Sequence, residues 1–473
     1  MELKLGKNKR LVIEEVKENN LELSYVKRNL FEKASSEVQK EIFDFAEKYK
    51  KFLNTCKTER ECSRYILEDA KKHGFKEFKF GDALKAGDKR YFVNRNKGVV
   101  LFNIGKNDLE TNGIRLVVAH IDSPRIDIKQ VPLYESDGMC FLKTHYYGGI
   151  KKYQWTAMPL SLHGVVILKN GKKVEINVGE KEGDPVFYIN DLLPHLGSTQ
   201  MSGTANNLIS GEQLNVVIGG MPLADVKNDK IKNNILKLLN KEYGIIEEDF
   251  ISAELSAVPA MKACDVGFDR SLIGGYGHDD RSSVYPAYQA ILNANADNTN
   301  MCILVDKEEI GSEGNTGMKS KVYEDLIEEI CFSMKANVRA VRQNSICLSA
   351  DVTAGYDPNF ANVFEKKNSA LLSCGTCMCK FSGSRGKSGS SDASAETVGK
   401  IRKIFDENDV YWQTAELGKV DLGGGGTVAM FIAQLNIDTV DIGVPVISMH
   451  APYELISKAD LYSMYTACQA FYK

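Results

Sequence analysis

Five short segments carry side chains that could bind metal or move protons. His120 opens His-Ile-Asp-Ser-Pro-Arg, two residues before Asp122. Asp279 and Asp280 follow His278 after the run Ile-Gly-Gly-Tyr-Gly. Asp306-Lys-Glu308-Glu309 places four charged residues directly after the apolar run Met301 to Val305. Asp351 follows Ile346 to Ala350, and His450 follows Val444 to Met449. An aspartate close to a ligating histidine orients the ring and raises its basicity. Histidine and carboxylate groups without thiolate favour zinc, cobalt or manganese. Five such ligands, one aspartate bridging, would hold two divalent ions about 3.5–4 Å apart. The remaining histidines carry weaker signals. His73 lies near a helix end and is expected at the surface, and His163 and His195 have no acid at ligand spacing, so structural roles are expected for those two.

The elements that must position these groups can be read from periodicity. Ile114 to Ala119 is nearly continuous apolar, as a strand buried on both faces should be. Helix and strand patterns alternate again after residue 262, with strands expected at Met301 to Val305, Ile346 to Ala350 and Asp441 to Ser448. Helices are expected at Ser283 to Leu292, Glu324 to Ala336, Ala395 to Glu407, Thr427 to Leu435 and Lys458 to Phe471. Ser457 and Asp460 offer the last a capping pair, and Thr58 and Glu61 form a capping box for an earlier helix ending near Gly74. Between about 131 and 262, strand-length pieces alternate with glycine, proline and asparagine turns around one helical stretch, Lys227 to Tyr243. The expected architecture is α/β with a mixed sheet: a first part over 1–130, an inserted β-rich domain over 131–262, and a second part over 263–473. Ligands of an open α/β sheet bind at the carboxyl ends of its strands, and His120, Glu308, Glu309, Asp351 and His450 stand at such ends.

Composition excludes several classes of function. The chain has 473 residues, enough for two or three domains. Its formal net charge of −3 provides no basic field for nucleic acid. No apolar run reaches the roughly 18–20 residues of a membrane span, and the first twenty residues mix charges of both signs without an apolar signal core. Eleven cysteines, an odd number, are too sparse for a disulfide-stapled secreted fold. A cytoplasmic protein is expected.

Eight segments in order resemble the aspartyl aminopeptidase family of dinuclear zinc exopeptidases. They are VVAHIDSPRID (117–127), THYYGGIKKYQW (144–155), GYGHDDR (275–281), DKEEIGSEG (306–314), SADV (349–352), GKSGSSDASAE (386–396), WQTAELGKVDLGGGGT (412–427) and SMHAPYELISKADLY (448–462). The second and third are similar to the bacterial branch. The resemblance implies two divalent ions per subunit, zinc foremost with cobalt or manganese as substitutes. His120, Asp279, Glu309, Asp351 and His450 would be the ligands, with Asp279 bridging. Glu308 would be the general base, and Asp122 would orient His120. The implied activity is removal of the N-terminal residue from short unblocked peptides, with acidic or neutral first residues preferred. Lys380, Arg385 and Lys387 are candidate contacts to a substrate carboxylate. Thr353 to Asn359 stands where the family has His-Ala-x-His-Pro-Asn, which weighs against strict aspartate specificity. Related enzymes form dimers through the inserted domain and assemble tetrahedral dodecamers. His145 is the candidate residue reaching a partner's active site.

Other signals are set aside. Gly383 to Ser388 lacks the first glycine of a phosphate loop, having Phe381 there. Cys374, Cys377 and Cys379 lack a fourth partner for a closed zinc site. Two rival readings are a dinuclear amidohydrolase acting on N-acyl amino acids and a non-catalytic oligomeric scaffold.

Overall fold

The structure is a computed structural model that describes residues 23–294 and 297–473. The mixed-charge start of the chain lies outside the described residues. Among those residues the largest sheet has nine strands, and four adjacent parallel ones form its centre: Thr299–Val305, Ile114–His120, Ile346–Ala350 and Asp438–Gly443. The register sets Val305 opposite His120 and Ala350 opposite Ile442, so these strands end at one level. Alternation then explains their apolar runs. Val117, Ala119, Leu304 and Leu348 join the core beneath helices Ser36–Thr55, Glu59–Lys72 and Lys458–Tyr472. Leu116, Val118, Ile303 and Cys347 face the other core, beneath helix Val322–Ser333. Both faces are covered, which is the condition under which parallel strands lose their polar alternation.

A seven-stranded sheet, antiparallel at each of its pairings, runs from Arg125–Ser136 to Ala253–Pro259. It packs on its own core around Trp155, Leu160 and Phe250. The expected boundary between residues 130 and 131 falls inside its strand Arg125–Ser136, which leaves the His120 loop after only four residues. A five-stranded sheet places Cys264–Val266, Leu272–Gly275, Glu454–Ser457, Pro445–Ile447 and Thr353–Ala354 side by side.

Three expectations need correction. The expected single strand Asp441 to Ser448 is two strands, Asp438–Gly443 in the large sheet and Pro445–Ile447 in the five-stranded one. They part at Gly443, where a Cβ would lie 1.5 Å from the Asp351 carbonyl oxygen, so only glycine allows the backbones to approach there. The helix after the glycine run is short, Ala429–Ala433. Ser457 caps the last helix, but Asp460 instead accepts the backbone N–H groups of Ser373 and Gly375, both at 2.7 Å. The Thr58–Glu61 capping box is present on helix Glu59–Lys72. No helix among the described residues is long and apolar enough to cross a membrane.

Candidate metal centre

Three central strands deliver His120, the Glu308–Glu309 turn and Asp351 to one crevice. Asp279 and His450 arrive from elsewhere. Asp279 lies in the non-helical start of helix His278–Leu292, after strand Leu272–Gly275, and His450 in the loop after Pro445–Ile447. Both strands belong to the five-stranded sheet, so His450 is not at an end of the large sheet as its position after an apolar run suggested. Glu454 ties these two segments together: its Oε1 accepts the His450 N–H at 2.8 Å and its Oε2 the Asp279 N–H at 3.1 Å.

The Asp279 carboxylate lies between two imidazoles. Its Oδ1 is 3.1 Å from His120 Nε2 and its Oδ2 is 3.2 Å from His450 Nε2. Asp351 Oδ1 is 3.7 Å from His120 Nε2, and Glu309 Oε2 is 3.5 Å from His450 Nε2. Each Nδ1 faces a carbonyl, Asp122 O at 3.0 Å for His120 and Gly149 O at 2.7 Å for His450. A ring that donates from Nδ1 leaves the Nε2 lone pair free for a metal. Glu308 groups with His120 and Asp351, their candidate ligand atoms within 4.8 Å of one another. Asp280 turns partly away, its Oδ2 accepting the His120 N–H at 3.3 Å. His278 also points elsewhere, its Nδ1 bonded to the Tyr49 hydroxyl at 2.9 Å.

The donor set fits a divalent cation. Asp279 Oδ1 and Glu309 Oε1 are buried and without hydrogen-bond partners. Burial, with Asp351 and Asp122 behind it, pushes Glu308 up to about 8, and burial with Asp279 lifts Glu309 well above the carboxylate range. Asp351 is raised by burial too. Burial also disfavours the charge on Asp279, but His120 and His450 outweigh it and hold that group below its usual range. Buried carboxylates crowded beyond their cationic neighbours are the electrostatic signature of a site that takes metal.

Several further residues complete the site. Tyr147 donates its hydroxyl to Asp122 Oδ2 at 2.8 Å. A Cβ on Gly148, whose φ is +79°, would lie 3.3 Å from Glu309 Oε2, and Gly149 supplies the carbonyl for His450. The run Tyr147-Gly148-Gly149, shortly after His145, therefore belongs to this centre. Glu454 lay unremarked inside the last resembling segment.

The crevice opens into a cavity of about 460 Å³, lined beyond the metal-type groups by apolar side chains such as Val352, Phe381, Leu417 and Met449 and by the polar Thr353, Ser382, Thr427 and Asp441. Lys380, Arg385 and Lys387 do not line it. Lys387 pairs with Asp392 at 3.1 Å and lies 4.0 Å from the centre of the Phe381 ring, and Arg385 and Lys387 border an adjoining cavity. His145 is exposed and lines a different cavity, with Arg125, Lys129 and Tyr147.

A family model described as aminopeptidase I zinc metalloprotease (M18) matches residues 52–472. The chain belongs to the M18 aminopeptidases. It is 48% identical over 454 residues to a probable M18 family aminopeptidase 1 of Clostridium acetobutylicum, covering 94% of this chain and 97% of that one. The crystal structure of an M18 family aminopeptidase from Thermotoga maritima superposes with a TM-score of 0.91 at 41% identity, covering 95% of this chain and all of that one. Aminopeptidase I from Clostridium acetobutylicum superposes at 0.89 with 45% identity, over 95% of this chain and 100% of that one. This M18 chain is therefore a zinc metallo-aminopeptidase with the mixed α/β fold of its family, as its motifs suggested.

Proposed function

We propose that this aminopeptidase works through two zinc-type ions bridged by Asp279, with His120 and Asp351 on one ion and Glu309 and His450 on the other. The observation that carries this reading is the carboxylate of Asp279, whose two oxygens face two different Nε2 atoms at 3.1 and 3.2 Å. When bound, such ions polarise the scissile carbonyl and make water acidic enough to attack at neutral pH. Glu308 takes the proton of the attacking water and returns it to the leaving amine. Asp122 holds the His120 ring and the Glu308–Glu309 turn in place, and a free N-terminal amine anchors the substrate.

The first residue of the substrate is neutral and apolar in this reading. Beside the metal groups the cavity is lined by Val352, Phe381, Leu417, Ile442 and Met449, and its further charged side chain is the acidic Asp441. No lysine or arginine is among its lining residues, and Lys387 is already paired with Asp392. The chain acts as a homo-oligomer, with dimers formed through the inserted domain and twelve subunits in a tetrahedral shell. Leu192, Leu193, Leu196, Met201 and Met221 are large apolar side chains left exposed on that domain. A yeast aminopeptidase of the same fold, 20% identical, is described as a dodecamer. His145, outside its own chain's metal cavity, serves the partner's substrate. The enzyme finishes the degradation of short peptides in the cytoplasm.

Metal analysis of the purified protein tests the centre: two equivalents per chain are expected, and Asp279→Asn should lose both. A panel of aminoacyl substrates tests the specificity. Leucine or alanine derivatives should outpace aspartate and glutamate, and free-amine dipeptides should be cleaved where N-acetyl forms are not. Faster cleavage of acidic substrates would reverse the specificity reading. Light scattering should give the mass of twelve chains, and an active monomer would exclude the shared-site role of His145.

A further inference from the structure

Beneath the turn that carries Asp279 lies a buried cation with no carboxylate to neutralise it. Arg281 is fully buried. Its Nε donates to Cys62 Sγ at 3.3 Å and its Nη2 to the Lys57 carbonyl at 3.1 Å, while its Nη1 has no partner. Among the described residues no acidic side chain forms an ion pair with it. A guanidinium stays charged in any protein environment, and a buried charge without a counter-ion is strongly destabilising. The neighbours leave one group able to supply the negative charge. The Tyr276 ring, 5.4 Å from the guanidinium, donates its hydroxyl to the Pro124 carbonyl at 2.9 Å. Glu61 is committed to His163 at 2.8 Å and to the N–H groups of Lys57 and Thr58, both at 3.0 Å. Burial drives the Cys56 thiol upward.

Cys62 remains, and its surroundings favour ionisation. It is the fourth residue of helix Glu59–Lys72, within the first turn, where the helix dipole stabilises an anion. Burial opposes a charge there, and the Cys56 carbonyl 3.9 Å from Sγ would accept a thiol proton, but the Cys56 side chain and Arg281 outweigh them and hold the thiol below its ordinary range.

The pair also touches the turn above it. A Cβ on Gly277 would lie 1.7 Å from Arg281 Nη1 and 3.1 Å from Ser123 Oγ, so the guanidinium packs directly under the glycine that precedes His278 and Asp279. Ser123 in turn donates to the Asp279 carbonyl at 2.5 Å. We propose that Cys62 is held as a thiolate, the counter-ion of Arg281, and that this buried pair is a positioning device for the turn presenting Asp279 to the metal. The second half rests on the reading of Asp279 as a metal ligand.

The test uses the full chain, metal-free and then titrated with zinc. The metal-free protein at neutral pH should show ultraviolet thiolate absorbance that disappears in Cys62→Ser. Zinc affinity should fall roughly ten- to a hundredfold in that variant. Cys62→Asp, which restores a negative charge in nearly the same volume, should bind zinc close to the wild-type level, and Cys62→Asn should not. This second pair keeps the test decisive if Cys62→Ser does not fold. Equal absorbance in wild type and Cys62→Ser, or equal zinc affinity in Cys62→Asp and Cys62→Asn, would overturn the proposal. A wild-type protein that shows the thiolate but takes up no zinc would remove the positioning role together with the metal reading, and would leave the ion pair itself established.

Discussion

The carboxylate of Asp122 accepts the backbone N–H of Glu308 at 3.2 Å. Its other oxygen accepts the Glu309 N–H at 3.2 Å and the Tyr147 hydroxyl at 2.8 Å, while Oδ1 also lies 3.3 Å from His120 Nδ1. One buried aspartate therefore orients a metal-type histidine and anchors the turn bearing both glutamates. Asp122→Ala should lower activity and zinc affinity by roughly ten- to a hundredfold, the range for losing a group that supports metal ligands. Tyr147→Phe, which removes only one of the four contacts, should cost less. Steady-state kinetics with parallel zinc titrations would show whether the two effects rank this way.

Glu308→Gln should keep the fold and most of the bound metal, because the amide fills the same volume. Turnover should fall by roughly a hundred- to ten-thousandfold, the share general acid–base catalysis usually contributes. A variant retaining more than about a tenth of the wild-type rate would move the base to another residue.

Chelation should abolish hydrolysis of unblocked peptides, and zinc, cobalt or manganese should restore it. Removing metal should also lower the melting temperature. Crowded buried carboxylates at Asp351, Glu308 and Glu309 then lose the ion that stabilises their charged forms, and a ligand of the folded state raises its stability by mass action. Differential scanning calorimetry of chelated and zinc-loaded protein gives the comparison.

His163 links the seven-stranded sheet to helix Glu59–Lys72. Its ring contacts Glu61 at 2.8 Å and Glu180 at 3.2 Å, and Glu61 is also the capping residue of helix Glu59–Lys72. Burial opposes its charge, but Glu180 and Glu61 outweigh that and raise its pKa; burial likewise works against Glu180, but His163 and Lys57 bring it down to about 2. A raised histidine contributes stability fully below its unfolded value of about 6.5 and loses it as pH climbs through the folded one. A depressed glutamate contributes fully above about 4.3 and loses it as pH falls toward about 2. His163→Leu should destabilise by about 1–3 kcal/mol near pH 6, the range for losing hydrogen bonds to charged groups, while Glu61 keeps the N–H groups of Lys57 and Thr58 and Glu180 keeps Lys57 and Lys262. The gap from wild type should narrow as pH rises, which denaturant unfolding across a pH series would record.

Much of this protein was legible in its residues alone. Continuous apolar strands such as Ile114 to Ala119 announced a sheet covered on both faces, and acids or histidines directly after such strands pointed to one edge of it. That logic held for His120, Glu308, Glu309 and Asp351 because the central strands are parallel and end at one level. It misplaced His450, since one apolar run can hold two strands when a glycine lets the chain change sheets at Gly443. The Thr58–Glu61 cap could be read locally because its partners are three residues apart. Glu454, Tyr147 and the acids around His163 could not. Apart from the His450 N–H, four residues before Glu454, their partners lie 175, 25, and 102 and 17 residues away, and a hydrogen bond between distant segments leaves no periodicity in either. Sequence alone determined which residue types could do the chemistry and which strands would carry most of them. Only the tertiary structure decided which way each side chain turned: Lys387 toward Asp392 and away from the cavity, Asp279 toward two histidines at once. That choice depends on the summed packing and electrostatics of elements that meet only when the chain is folded.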